Sequence, residues 1–143
     1  MEYIHYNKLM KKIGRVEKVS FPDLNITSID AKVDTGAYGT ALHVEGIRSR
    51  NGKLSFWIDD PTNRLYFEDY KTINVKSSFG KTQKRYSIMT RVIVGESTYK
   101  VYISLTNRKD MKYPVLIGRR FLHKFNYIVD VRKKNINDRL KKV

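Results

Sequence analysis

Apolar and polar residues alternate with a period of two along most of this chain, and turn residues interrupt the alternation every few positions. That pattern predicts short strands that each bury one face. Ile13–Val19 reads as the first strand, and Phe21-Pro22-Asp23-Leu24-Asn25 as the turn that ends it. Ile26–Val33 is a second strand and runs directly into Asp34-Thr35-Gly36-Ala37. Thr40–Val44 resumes a strand, Lys53–Ile58 is another, stopped by Asp59-Asp60-Pro61, and Tyr70–Lys76 follows. Ser77-Ser78-Phe79-Gly80-Lys81 is predicted to be a hairpin tip. Arg85–Val94 and Thr98–Leu105 read as a hairpin around Gly95-Glu96-Ser97. Thr106–Lys112 is a polar loop, and Tyr113–Gly118 is an apolar run stopped by glycine. Phe121, Leu122 and Phe125 have the spacing of a short helix, and Tyr127–Val131 closes the series as a strand. Nine or ten short strands and one short helix define an all-β fold, a barrel or a sandwich.

Composition narrows the class. The chain has 143 residues, 41% of them hydrophobic and 12% aromatic, which suits one packed domain. It has no cysteine, so disulfides and thiolate metal sites are excluded. The N-terminus has the composition of neither a signal peptide nor a membrane span, and a cytoplasmic location with no membrane partner is the expectation. Lysine and arginine total 29 against 14 acidic residues, a formal charge of +15. Two readings of that charge stay open: a solvated basic surface, or attraction to an acidic partner, whether nucleic acid, an anionic membrane or an acidic peptide. The division expected is an N-terminal arm over 1–12, a domain over 13–131 and a basic tail over 132–143.

The chemistry rests on two short segments. Asp34-Thr35-Gly36-Ala37 stands where an apolar strand meets a glycine-containing turn. Aspartic proteolysis needs two carboxylates close enough to share a proton, one holding the water as base while the other donates. Gly36, lacking a Cβ, lets backbone approach the carboxyl closely, and the Thr35 hydroxyl could lock two such loops together. Taken alone, the tripeptide reads better as an ordinary turn, where Asp, Thr and Gly are all common. Leu116-Ile117-Gly118-Arg119 carries no reactive group, and a buried strand ending in glycine accounts for it.

Together, and in this order, the two segments resemble the retropepsins. The closer similarity is to a bacterial retropepsin-like family labelled "putative ATP-dependent zinc protease". It covers roughly Ile13–Val131: Ile13-Gly14-Arg15, the Phe21–Leu24 turn, Ala31–Ala37, Ala41-Leu42-His43, Phe56–Pro61, Arg85-Tyr86, Arg108–Pro114 and Ile128-Val129-Asp130. The departures are Tyr38 and Thr40, where the family usually has a basic residue and a serine. The resemblance implies a closed acid-protease barrel with a flap hairpin and one short helix after the Leu-Ile-Gly segment. It implies that Asp34, Thr35 and Gly36 are catalytic, that Ala37, Tyr38, Ser78, Phe79 and Gly80 touch substrate, and that Leu116, Ile117, Gly118 and Arg119 pack behind the site. Because only one Asp-Thr-Gly is present, it implies a homodimeric aspartic endopeptidase with the two Asp34 carboxylates on a two-fold axis.

The zinc and ATP in the family's label find no support in the residues. There is no phosphate loop and no His-Glu-x-x-His helix, and His5, His43 and His123 are scattered, so no metal and no cofactor is expected. The resemblance also brings an association with ATP-grasp ligases that add glutamate tails to a ribosomal protein, which suits a basic chain handling acidic peptide. The alternative is a non-catalytic module of the same fold that grips RNA, ribosome or an acidic protein. Lys84-Arg85-Tyr86 and Tyr99-Lys100-Val101-Tyr102 interleave charge and aromatics in the way such binding needs. Nucleic acid is the less favoured partner, because a pure binder has no need of Asp34-Thr35-Gly36.

Overall fold

The computed structural model of the chain describes residues 10–76, 79–107 and 112–138. Among them the elements are β1 (Lys11–Phe21), a single 3-10 turn (Pro22–Leu24), β2 (Ile26–Val33), β3 (Ala41–His43), β4 (Glu45–Arg50), β5 (Lys53–Trp57), β6 (Leu65–Phe67), β7 (Lys71–Lys76), β8 (Thr82–Val94), β9 (Ser97–Thr106), β10 (Val115–Ile117), α1 (Arg119–Lys124) and β11 (Tyr127–Lys134). Eight strands form one mixed sheet in the order β11-β1-β2-β10-β3-β9-β8-β7. A further pairing of β1 with β8 turns the sheet back on itself, so that β1, β2, β10, β3, β9 and β8 make a ring. The mostly-β fold expected from the alternation is present, as a ring-like sheet consistent with a retropepsin-like barrel.

The ring closes around a hydrophobic core. Ile13, Phe21, Leu42, Val44, Leu54, Phe56, Ile88 and Ile103 have no exposed surface. Along β8 the side chains alternate inward and outward, with Ile88, Thr90, Val92 and Val94 buried and Met89 and Arg91 facing out. At one end α1 buries Phe121 and Leu122. Its ring of Phe121 stands 5.2 Å from that of Tyr99, and Phe125 stands 4.1 Å from the same ring. Lys11 Nζ donates to the Tyr99 hydroxyl at 2.7 Å, tying β1 to this aromatic cluster.

β7 and β8 pair antiparallel from Lys71↔Ser87 to Lys76↔Thr82, which is the hairpin expected around residues 77–81. Phe79, near its tip, is 91% exposed, and Gly80 has a φ of +79°, a conformation that favours glycine. Ser77 and Ser78 lie outside the described residues, as do 1–9 of the expected arm, 108–111 of the polar loop and 139–143 of the tail.

A second, three-stranded sheet, β4-β5-β6, was not expected from the alternation. Only Ile47 is apolar among the residues of β4, and the chain at Gly46 has a φ of +63°, so no period of two is visible there. The one legible signal is Asn51-Gly52, both at positive φ (53° and 74°), which is the favoured two-residue hairpin turn.

Two polar contacts fix the ring. Glu17 is fully buried in β1, and its carboxylate accepts from Gly14 N–H at 2.7 Å, Asn137 N–H at 3.0 Å and Asn137 Nδ2 at 3.3 Å. Glu17→Ala would strand those donors, and should cost on the order of 2–3 kcal/mol in urea unfolding, well above the effect of a surface change. An unfolding free energy equal to that of the parent chain would contradict this role.

Asp23 of the 3-10 turn receives Arg91 Nη2 at 2.6 Å and Arg91 backbone N–H at 3.0 Å. Those hydrogen bonds, the side-chain one foremost, pull the Asp23 carboxyl from 3.8 to about 2. Since its folded value lies below its unfolded one, the contact stabilises the fold above about pH 4 and is lost as pH falls through 2. Both side chains are at least a third exposed, so solvent screens the pair, and Asp23→Asn should cost about 1 kcal/mol or less at pH 7. The difference between variant and parent should vanish near pH 2; a constant difference across that window would contradict the assignment.

Candidate active site

Parallel pairing assembles the two chemically marked segments. β10 lies parallel to β2 with Val33 opposite Ile117, so the residues that follow, Asp34 and Gly118, leave the sheet at the same end. Asp34 N–H donates to the Ile117 carbonyl at 2.9 Å, which carries the pairing one residue further. The chain then turns: Ala37 N–H donates to the Asp34 carbonyl at 3.1 Å, and Gly36 N–H donates to Asp34 Oδ1 at 3.0 Å. One carboxylate oxygen is therefore held by the loop's own backbone. A Cβ on Gly36 would sit 3.2 Å from that oxygen, a tight approach that glycine avoids. Asp34 and Ala37 are half-buried, while Thr35 and Gly36 are exposed.

The segment Gly118-Arg119-Arg120 backs this loop through the main chain. Arg119 N–H donates to the Ala37 carbonyl at 2.8 Å, Arg120 N–H to the Tyr38 carbonyl at 3.1 Å, and Arg119 Nη1 to the Gly36 carbonyl at 3.2 Å. A Cβ on Gly118 would lie 2.4 Å from the Gly39 carbonyl oxygen and 2.7 Å from that of Tyr38. Only glycine admits so close an approach of backbone to backbone. Thr40, buried beside it, accepts from Gly118 N–H through Oγ1 at 3.3 Å, and its carbonyl accepts from Ser104 N–H at 2.9 Å. Thus Asp34, Gly36, Ala37, Tyr38, Ile117, Gly118 and Arg119 form one cluster, with Leu116 half-buried in β10. Phe79 and Gly80 belong to the β7–β8 hairpin.

Beyond Tyr38 a cleft of about 460 Å³ opens between α1 and the strands β7, β8 and β9. Tyr38, Gly39 and Thr40 line one wall, and Lys71, Lys100, Arg120 and Lys124 line it with Tyr102, Ile73 and Met89. Sequence reasoning had marked Lys100 and Tyr102 only as interleaved charge and aromatic, and had no means of joining them to Lys71, Arg120 and Lys124.

Other sequence-marked groups lie elsewhere. Asp30 pairs with Lys18 at 2.6 Å, and Asp130 with Arg132 at 3.0 Å. Asp60 accepts from Thr62 N–H and Oγ1 in its own turn. His43 is on β3, His123 is on α1, and His5 lies outside the described residues. Among the described residues no group of three or more His, Asp or Glu is placed to hold a metal ion. No helix among them is long and apolar enough to cross a membrane.

Comparison with known proteins follows the same geometry. The profile of a family described as RimB-like, retropepsin-like aspartic endopeptidase RimB, matches residues 12–140. A solved Legionella pneumophila protein described as of unknown function superposes with a TM-score of 0.70 at 30% identity, covering 89% of this chain and 98% of its own. Curated relatives from Shewanella pealeana (35% identical) and Parasynechococcus marenigrum (30% identical) are each named probable alpha-L-glutamate ligase. Each match covers 75% of this chain, and the chain spans about a quarter of the relatives' length (26% and 25%).

These names correct one expectation. A homodimeric aspartic endopeptidase was the function implied by the Asp-Thr-Gly loop, but the curated relatives are named ligases, not peptidases. The physical reason is that a loop and a barrel report architecture, and one architecture serves different activities. The alternative of a module without activity loses its support as well, since the family description and the relatives' names are those of enzymes.

Proposed function

The chain belongs to the RimB-like, retropepsin-like family over residues 12–140, and on that premise we propose that it is the retropepsin-like enzyme module of an α-L-glutamate ligation system, working through Asp34. The observation that carries this reading is the 35% identity, over three quarters of the chain, to relatives named for that ligation. The chain's own residues support it. Asp34 is half-buried, its Oδ1 is fixed by Gly36 N–H, and its loop is clamped by Gly118 and Arg119, which is the rigid positioning that an acid–base carboxylate needs. The reaction type assigned to Asp34 is the aspartic-type chemistry in the family's description, with Thr35 and Gly36 shaping its loop and Ala37, Tyr38, Phe79 and Gly80 as the groups nearest substrate. A cytoplasmic setting belongs to the same proposal, and the absence of cysteine suits a reducing compartment.

The test is made in cells that express an α-L-glutamate ligase with its acceptor protein. Co-expressing the wild-type chain should change the number of glutamates that the acceptor carries, and Asp34→Asn should leave that number at its value with ligase alone. An effect of equal size from both forms would refute the assignment of Asp34.

A further inference from the structure

The three-stranded sheet β4-β5-β6 has two faces of opposite character. Leu54 and Phe56 have no exposed surface and pack in the hydrophobic core with Ile47, Leu65 and Phe67. Strand alternation sends their neighbours to the other side, and residues paired across antiparallel strands share a face. Arg48 pairs with Ser55 and Ser55 with Tyr66, while Arg50 pairs with Lys53. The outer face therefore carries Arg48, Arg50, Lys53, Trp57 and Tyr66. Arg64, which leads into β6, lies across the same face: its Nη1 donates to the Gly46 carbonyl at 2.6 Å and to Ser55 Oγ at 3.0 Å. A Cβ on Gly46 would lie 2.5 Å from Trp57 Nε1 and 2.8 Å from Arg64 Nη2, so glycine leaves the indole and the guanidinium side by side. Both acceptors of Arg64 are neutral, and among the described residues no carboxylate lies within 4 Å of Arg48, Arg50 or Arg64. The carboxylates at this face are Glu68, 3.9 Å from Lys53, and Glu45, opposite Trp57.

Tyr66 is 65% exposed on this face. Among the described residues no ring and no cation stands over it, whereas Lys71 lies 3.9 Å from the ring of Tyr102 and Arg119 lies 5.4 Å from that of Tyr38. The segments whose sequence interleaves charge and aromatics offer no such ring. Tyr86 packs edge-on against Tyr70 at 6.0 Å, and Tyr99 is buried. We propose that the outer face of β4-β5-β6 binds single-stranded nucleic acid, with Tyr66 stacking on a base and Arg48, Arg50, Lys53 and Arg64 contacting phosphates. A base needs an open aromatic face, and a phosphodiester chain needs cations along its path; this face supplies both. Arg64 is oriented before any ligand arrives, and its planar fork suits a phosphate better than a point charge does. An acidic peptide would use the cations and leave the open ring of Tyr66 without a role, so the base-bearing polymer is the better fit. The proposal goes beyond the function given to Asp34 and does not rest on it, since that carboxylate leaves the eight-stranded sheet and not this one.

The test reads binding to the full chain by fluorescence anisotropy. Its probes are a labelled single-stranded RNA of mixed sequence and its DNA counterpart, with unlabelled polyphosphate, a polyanion without bases, as competitor. Tyr66→Ala should weaken binding roughly 10-fold, the loss of one stacked base, while Tyr66→Phe, which keeps the ring, should bind like the parent. Should Tyr66→Ala melt below the parent, Tyr66→Leu, which keeps apolar bulk without an aromatic face, takes its place with the same expectation. Arg48→Ala, Arg50→Ala and Lys53→Ala combined should weaken binding and lower the slope of log affinity against log salt by about 2, at roughly 0.7 per phosphate contact. Lys12→Ala, Lys133→Ala and Lys134→Ala combined remove the same charge from exposed positions of the other sheet and should leave affinity within a few-fold of the parent. This pattern with either strand supports the proposal, and the tighter strand identifies the source of the ligand. Binding of neither strand, parental affinity in Tyr66→Ala, or equal weakening by the two triple variants would overturn it. So would polyphosphate that matches the nucleic acid phosphate for phosphate.

Discussion

Gly118→Ala should destabilise the fold by on the order of 3 kcal/mol, one of the two largest effects expected of any single substitution in this chain. The added Cβ would fall 2.4 Å from the Gly39 carbonyl oxygen and 2.7 Å from both the Gly39 carbonyl carbon and the Tyr38 carbonyl oxygen. All three are backbone atoms, so no side-chain rotation relieves the contact. The Asp34 loop or the start of α1 must move instead, and either movement breaks the hydrogen bonds from Arg119 and Arg120 to Ala37 and Tyr38. Thermal melting should fall by roughly 10 °C for a chain of this size. Gly39→Ala is the matched control: nothing lies within 4 Å of a Cβ built there, so that variant should melt close to the parent. Equal melting of Gly118→Ala and the parent would contradict the packing.

The second large effect is chemical. Asp34→Asn keeps a side-chain oxygen that can accept from Gly36 N–H, so the loop should retain its shape and the protein its stability. What it removes is the ionisable carboxylate, and losing a positioned acid–base group costs roughly 10²–10⁴-fold in rate. The pair of readouts matters: unchanged melting with activity reduced by that factor assigns Asp34 to chemistry, and reduced melting would assign it to structure.

Much of this architecture was legible because it depends on local patterns. The alternation from Ile26 to Val33, the break at Asp34 and the apolar run ending at Gly118 each follow from the short-range constraints of a half-buried strand and its turn. The relation between Asp34 and Gly118 is a long-range one. It was reached through resemblance, and the parallel pairing of β2 with β10 supplies its physical cause. What escaped was of three kinds. Strand β4 escaped because its Glu45-Gly46-Ile47-Arg48-Ser49-Arg50 sequence buries little and shows no period of two, leaving Asn51-Gly52 as its only mark. Glu17 escaped because a charged residue between Val16 and Lys18 reads as facing solvent. The β1 irregularity between Gly14 and Val16 and the return of Asn137 bury it instead. The cationic cleft escaped for a third reason. Lys71, Lys100, Arg120 and Lys124 are unremarkable in a chain with 29 basic residues, and only the ring of strands brings them together.

The central claim, that this module takes part in glutamate ligation through Asp34, is tested most directly with purified components. An α-L-glutamate ligase extends its acceptor alone, with the wild-type chain or with Asp34→Asn, while intact-protein mass spectrometry counts glutamates per acceptor over time. The account predicts that the count with the wild-type chain departs from that with ligase alone and that Asp34→Asn leaves it at the ligase-alone value, although both proteins melt at the same temperature. A count that the wild-type chain leaves unchanged, or that both forms change equally, would contradict it.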